Sequence, residues 1–225
     1  MIFGILICFI PLIILVLSFT LTKRLKFIHQ LLAIFLGLIA VLPISFLQFF
    51  IPDFSGLFTS PILFSIFQSL IIYGLIEEIL KMALIFPLPH KNYSCLDFLL
   101  LSFVMGIALG CFESLVYFFD HLQNARAKGA DLLYFPIFLR ILTSDLIHLT
   151  CTGLGGLFVW TCRITDEKNN VHPSISILLN AVLLHGFYDF FAGFTNNLRW
   201  FSFAVVLLSI AECRIKYMSL QPARE

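Results

Sequence analysis

Residues 97–119 read DFLLLSFVMGIALGCFESLVYFF, and this stretch is the clearest indication of how the chain folds. After Asp97 at its start, Glu113 is the single charged side chain in it. A helix of about 20 mostly apolar residues is the element that crosses the hydrocarbon core of a bilayer. The stretch therefore predicts a transmembrane helix that carries one carboxylate inside the membrane.

The composition extends this prediction to the whole chain. Of the 225 residues, 60% are hydrophobic and 12% are charged, and the mean hydropathy is +1.00. Soluble domains contain about 25% charged residues, so this chain has too few charges to cover a surface that faces water. The bilayer is therefore its expected surroundings, and the net charge of +1 argues against a nucleic-acid partner. The cysteines show no C-x-x-C spacing, which indicates reduced core residues.

Similar apolar stretches recur along the chain, separated by prolines and short polar segments. We predict one all-α membrane domain over residues 1–225, a polytopic transmembrane helix bundle with about seven spans. The catalytic helices are expected within residues 62–194, and residues 120–134 are expected to form a surface loop. The predicted spans are residues 2–22, 30–51, 62–87, 97–119, 135–162, 174–194 and 199–215.

The distribution of lysine and arginine predicts the orientation of the bundle. Short cytoplasmic loops carry an excess of both residues. If the basic loop 23–29 is cytoplasmic, most of the basic residues fall on that side, which places the N-terminus outside and the C-terminus in the cytoplasm. The basic residues expected on the opposite side are Arg126, Lys128, Arg140 and Arg199.

Ionisable side chains lie inside four of the predicted spans. Such groups are costly in a bilayer, usually face the bundle interior and mark function. They are Glu77, Glu78 and Lys81 in the third span, Glu113 in the fourth, Asp145 and His148 in the fifth, and His185 and Asp189 in the sixth. Because successive spans alternate in direction, all of these groups can lie at a similar depth. We therefore predict a polar, catalytic cavity within the membrane.

The spacing of these residues predicts pairs, because residues four apart share one face of a helix. The predicted pairs are Glu77 with Lys81, Glu113 with Tyr117, and His185 with Asp189. Adjacent carboxylates in a medium of low dielectric cannot both ionise cheaply. One of them is therefore expected to take a proton from water beside the histidines, while Lys81 balances the remaining charge.

Other interpretations of the same residues stay open. Two histidines and a carboxylate on separate helices also suit a divalent metal ion such as zinc, whose bound water would be the nucleophile. A buried Glu–Lys pair is also consistent with a structural bridge, and we interpret Asp145 as structural. No G-x-S-x-G and no H-E-x-x-H motif occurs, which argues against serine-type and H-E-x-x-H zinc-type proteolysis.

The ordered motifs resemble those of the PrsW family of intramembrane proteases. Glu77-Glu78-Ile-Leu-Lys81 matches the family's E-E-x-x-K signature, and Phe112-Glu113 looks like its glutamate-bearing helix. The segment around His148 and the pattern His185-x-x-x-Asp189 resemble its later motifs. Wider relatives are the CAAX prenyl-protease and bacteriocin-processing membrane proteases. The resemblance covers residues 70–192.

The resemblance implies an endopeptidase that cuts a membrane-anchored protein in a bacterial inner membrane, with site-1 cleavage of an anti-sigma factor as the best-described role. It implies catalytic roles for Glu77, Glu78, Glu113, His148, His185 and Asp189, supported by Lys81 and Tyr117. The family is classed as metalloproteases, so the implied cofactor is one divalent ion, held by His148, His185, Glu113 and Asp189, or none. An inactive membrane scaffold and an ion- or proton-coupled transporter are the alternative functions.

Overall fold

A computed structural model describes residues 2–91, 93–127, 129, 134–164 and 174–221. These residues form seven long helices and two short 3₁₀ turns, at Ser55–Leu57 and Asn197–Trp200, with no strand among the described residues. The predicted all-α fold is therefore confirmed. The helices are α1 (Ile2–Leu21), α2 (Phe27–Phe50), α3 (Pro61–Ile85), α4 (Cys95–Ala127), α5 (Tyr134–Ile164), α6 (Ile175–Ala192) and α7 (Phe201–Ser219).

Six of these helices, α1 to α6, are long and apolar enough to cross a membrane. Helix α7 differs because Glu212, Arg214 and Lys216 lie in its last two turns. Large apolar side chains such as Phe3, Leu17 and Phe35 are exposed on the outside of the bundle, where lipid would cover them. The chain is therefore an integral membrane protein, and a seventh span stays a prediction.

Helix α4 is longer than the sequence predicted. The loop expected at 120–134 is wrong for residues 120–127, which continue the helix to Ala127. Asn124 donates a hydrogen bond to Asp120 across one turn, at 3.0 Å. This stretch holds no proline or glycine before Gly129, so polarity alone does not end the helix. Residues 128 and 130–133 of the expected loop lie outside the described residues.

Helix α3 contains a wide section. Residues Gln68–Leu75 form π-helical turns before the α-helix resumes at Ile76. Such turns are rare and often lie at functional sites. This section packs closely on α6, because a Cβ atom added at Gly74 would lie 3.0 Å from the carbonyl oxygen of Val182, and one added at Gly186 would lie 2.8 Å from Leu70 Cα. The contact brings the next turn of α3 against α6.

Helices α4 and α5 form the centre of the bundle and its most extensive helix pair. The small residues Gly106 and Gly110 permit this approach. A Cβ atom at Gly106 would lie 2.5 Å from the carbonyl oxygen of His148, and one at Gly110 would lie 2.9 Å from Asp145 Cα. Helix α1 packs on α4, α2 packs on α3 and α4, and α7 packs on α5 and α6.

Candidate active site

The ionisable residues of α3, α4, α5 and α6 meet in one cluster inside the bundle. Lys81 lies at its centre and is 0% exposed. Its Nζ atom lies 2.7 Å from Glu78 Oε1, 3.1 Å from Glu77 Oε1 and 3.1 Å from His148 Nδ1. One lysine therefore contacts both glutamates of its own helix and a histidine of α5.

His148 connects α3 to α4. Its Nδ1 atom lies 3.3 Å from Glu77 Oε1 on one side. On the other side its Nε2 atom contacts Glu113 Oε2. The His148 side chain is 1% exposed, whereas the Glu113 side chain is 41% exposed and faces the cavity. Glu77 and Glu113 are thus linked through one imidazole.

His185 brings α6 into the cluster. Its Nδ1 atom lies 2.7 Å from Glu78 Oε1, at an angle that does not make a hydrogen bond, and has no other hydrogen-bond partner among the described residues. Its Nε2 atom lies 3.8 Å from Glu77 Oε1 and 3.6 Å from Asp189 Oδ2. The rings of His148 and His185 are 5.0 Å apart and nearly perpendicular. Both histidines therefore face Glu77.

The two adjacent glutamates have different surroundings. Glu78 is fully buried and contacts Lys81 and His185. The side chain of Glu77 is 12% exposed and lines a cavity of about 530 Å³. Adjacent residues of a helix point about 100° apart, so one carboxylate is directed into the protein and the other towards a space that can hold water or a substrate.

The cavity extends from Glu77 to the end of the bundle at which α2 and α6 terminate. Its walls come from α2, α3, α4, α5 and α6 and combine apolar side chains with polar ones. Lining residues that bear on function are Gln48, Tyr73, Glu77, Glu113, Arg140 and Asp189. A cavity that combines apolar walls with a few polar groups suits an apolar polypeptide segment with a reactive amide group.

Arg140 belongs to the site, although the sequence predicted it among the basic residues on the outer side of the membrane. Its guanidinium donates hydrogen bonds to Glu113 Oε1 at 3.2 Å and to the Tyr188 hydroxyl at 2.9 Å. Arg140, Ser144 and His148 are each four residues apart and therefore share one face of α5. All three contact Glu113. That periodic face was readable from the sequence.

Tyr117 and Asp145 lie close to the cluster but do not contact Glu77, Lys81 or the two histidines through any hydrogen bond among the described residues. No hydrogen bond joins Tyr117 and Glu113 among the described residues, although both side chains contact Arg140. The Tyr117 ring instead lies 5.6 Å from the Arg140 guanidinium and lines the cavity. Asp145 is 2% exposed, accepts a hydrogen bond from Ser114 at 3.1 Å and contacts Cys111 Sγ at 3.7 Å. These contacts are consistent with the structural role expected for it.

A donor set for a metal ion lies within the cluster. Glu77, His148 and His185 each offer one ligand atom, and these atoms lie within 4.8 Å of one another. Among the described residues, this group does not include Glu113 or Asp189, which the sequence had placed in the metal set. One carboxylate and two imidazoles are the protein ligands of many catalytic zinc sites.

Comparisons with known proteins give a match to a protein family. A family model described as PrsW family intramembrane metalloprotease matches residues 26–211, which include every helix of the cluster. No match is found among curated proteins or among solved structures.

Proposed function

Because the chain belongs to the PrsW family of intramembrane metalloproteases, it is a membrane protease, and we propose that it hydrolyses a peptide bond in a membrane-anchored protein with Glu77 as the general base. One observation carries this proposal: the carboxylate of Glu77 faces the cavity and is surrounded by Lys81, His148 and His185. A base must lie within reach of water in the substrate site.

The surroundings of Glu77 support its role as base. Its Oε1 atom faces Lys81, whose positive charge stabilises the carboxylate in a site of low dielectric. Among the described residues no group is hydrogen-bonded to its Oε2 atom, which is therefore free to accept a proton from water. Glu78 pairs with Lys81 from the buried side, so the charged groups of this turn of α3 leave one net negative charge, which faces His148 and His185.

The remaining side chains would handle the substrate carbonyl and the leaving group. His185 and Asp189 lie on one side of Glu77, and His148 with Glu113 on the other. We propose that His185 stabilises the developing oxyanion, since preorganised donors in a site without bulk water contribute several kcal/mol. His148, linked to Glu113, would deliver a proton to the departing amine.

The site also fits a divalent metal ion, on the chemistry of its donors. Glu77, His148 and His185 would hold such an ion. It would act as a Lewis acid on water or on the carbonyl, and Glu77 would then serve as a ligand. Lys81, 3.1 Å from His148 Nδ1, would have to move aside or lose a proton, because two cations at that distance repel each other.

The orientation predicted from the basic residues gives the cavity a direction. With the N-terminus outside, the end at which α2 and α6 terminate lies on the outer side of a bacterial inner membrane. The cavity would then receive a substrate segment from the outer leaflet, and a membrane-anchored anti-sigma factor is the candidate substrate. This substrate remains the candidate to be tested first.

Cleavage of a co-expressed single-span protein tests the proposed function. We expect Glu77→Gln and His148→Ala to lower the cleavage rate by about 10²–10⁴-fold, as loss of acid–base groups does. The matched control is Glu212→Gln on α7, which changes a glutamate that pairs with Lys216 and does not line the cavity. Metal analysis of the same purified samples distinguishes Glu77 as a general base from Glu77 as a metal ligand. Cleavage at the native rate by Glu77→Gln would refute the mechanism.

A further inference from the structure

A second cavity of about 340 Å³ continues the first one towards the end of the bundle. The two cavities share Tyr117, Arg140, Ala192 and Gly193 in their walls. Arg140 and Tyr117 thus form a neck between them. A polypeptide bound in the first cavity can extend through this neck into the second.

The two cavities differ in charge. The first contains the carboxylates of Glu77, Glu113 and Asp189. The second is lined by Arg140, Arg199 and His121, and no carboxylate lines it among the described residues. Hydroxyl groups of Thr143, Thr195 and Ser202 complete its polar wall. The charge of the cleft therefore changes sign across the neck.

Arg199 is the cation available to a ligand. Arg140 already donates to Glu113 and Tyr188. Within the part of the chain that the structure describes, no carboxylate lies within ion-pair distance of Arg199, whose guanidinium lies 5.9 Å from the Trp200 ring centre. An unpaired guanidinium in a half-enclosed polar cavity favours a planar anion that accepts two hydrogen bonds.

We propose that the second cavity binds an acidic side chain of the substrate, an aspartate or glutamate within a few residues of the cleaved bond, and that Arg199 is the residue that selects it. This inference rests on the proposed function. A carboxylate on the substrate matches both the charge of the second cavity and its continuity with the site. Complementary charges of this kind contribute more to the choice between substrates than to the overall affinity.

Paired substrates test the selectivity. Single-span proteins with glutamate or glutamine at each position flanking the cleaved bond are presented to the full-length enzyme in zwitterionic vesicles. We expect the native enzyme to prefer glutamate at one of these positions, and Arg199→Gln to raise KM for that substrate by about five- to tenfold. Arg126→Gln, an exposed arginine outside both cavities, is the matched control. Arg199→Glu should shift the preference to lysine, which a merely structural role would not produce.

Binding measurements keep the inference separate from the proteolytic function. Affinities of the glutamate and glutamine substrates are measured on Glu77→Gln and on the double variant Glu77→Gln/Arg199→Gln, so turnover is not needed. If the preference for the glutamate substrate is lost in the double variant, the inference is supported. If the native protein cleaves neither substrate, only the proposed function is refuted. Equal affinities, or an Arg199 effect that occurs only in vesicles with anionic phospholipid, would overturn the inference.

Discussion

Helix α1 and the central pair α4 and α5 are all apolar enough to span a membrane, yet they use their surfaces differently. Helices α4 and α5 each bury 67% of their most apolar 18-residue stretch inside the protein, whereas α1 buries 17%. Helix α1 contains no Asp, Glu, His, Lys or Arg. The central pair carries Glu113, Asp145 and His148 at its interface.

The difference shows what permits charge in a membrane. An ionisable group facing lipid has no partner and is strongly disfavoured. Between α4 and α5 each such group has a polar neighbour from another helix, as Glu113 has Arg140 and His148. Close helix packing supplies these neighbours. Polar chemistry in this protein thus depends on protein-lined surfaces, while the lipid-facing helix only needs to remain apolar.

The strongest way to break this arrangement is to remove the central cation. Replacing Lys81 by methionine leaves Glu78 fully buried without its lysine partner. Breaking a buried ion pair from one side costs about 3–5 kcal/mol, so we expect the free energy of unfolding to fall by that amount. Unfolding of the purified protein, titrated with denaturing detergent, measures it.

Two variants control this prediction. Lys216→Met on α7 removes a lysine whose pair with Glu212 is partly exposed, and it should change stability by less than about 1 kcal/mol. The double variant Glu78→Gln/Lys81→Met removes both buried charges and should recover much of the lost stability without recovering cleavage. If Lys81→Met were as stable as Lys216→Met, the buried charge cluster would not hold the helices together.

A smaller effect is expected from adding one methyl group at a helix contact. In Gly106→Ala the new Cβ would lie 2.5 Å from the backbone oxygen of His148, and overpacking of this kind costs about 1–3 kcal/mol. In Gly4→Ala on α1 the new Cβ would meet the end of the Phe118 side chain, which is displaced more easily than backbone, so a smaller loss is expected. Detergent unfolding and cleavage rates of both variants measure the difference. Equal losses would show that the α4–α5 contact is no tighter than the α1 contact.

Much of the fold could be predicted from the sequence, because long charge-free stretches leave few alternatives to membrane helices. The predicted limits of the first span, residues 2–22, nearly coincide with Ile2–Leu21. The prediction was wrong for residues 120–127 of α4, which were expected to form a loop because they are polar but which continue the helix. The π-helical turns of α3 also have no sequence signal, because they depend on its packing against Gly186 of α6.

The composition of the candidate site was predictable for a similar reason. Charged residues are rare in spans, so Glu77, His148 and His185 stand out individually. Their distances were not predictable, because these depend on how far the helices approach one another. Arg140 was missed because it lies near the start of its span, where an arginine usually extends to the membrane surface.

The smallest expected effect concerns Asp145, a buried acidic residue at the α4–α5 interface that has no part in the proposed mechanism. In Asp145→Asn the amide oxygen can still accept the hydrogen bond from Ser114, and only the weak contact with Cys111 changes. We expect unfolding free energy to change by about 1 kcal/mol or less and cleavage to persist. Glu113→Gln on the facing helix, which weakens contacts with Arg140 and His148, should lower cleavage strongly. A comparable loss of cleavage in Asp145→Asn would move this carboxylate from helix packing into the active site.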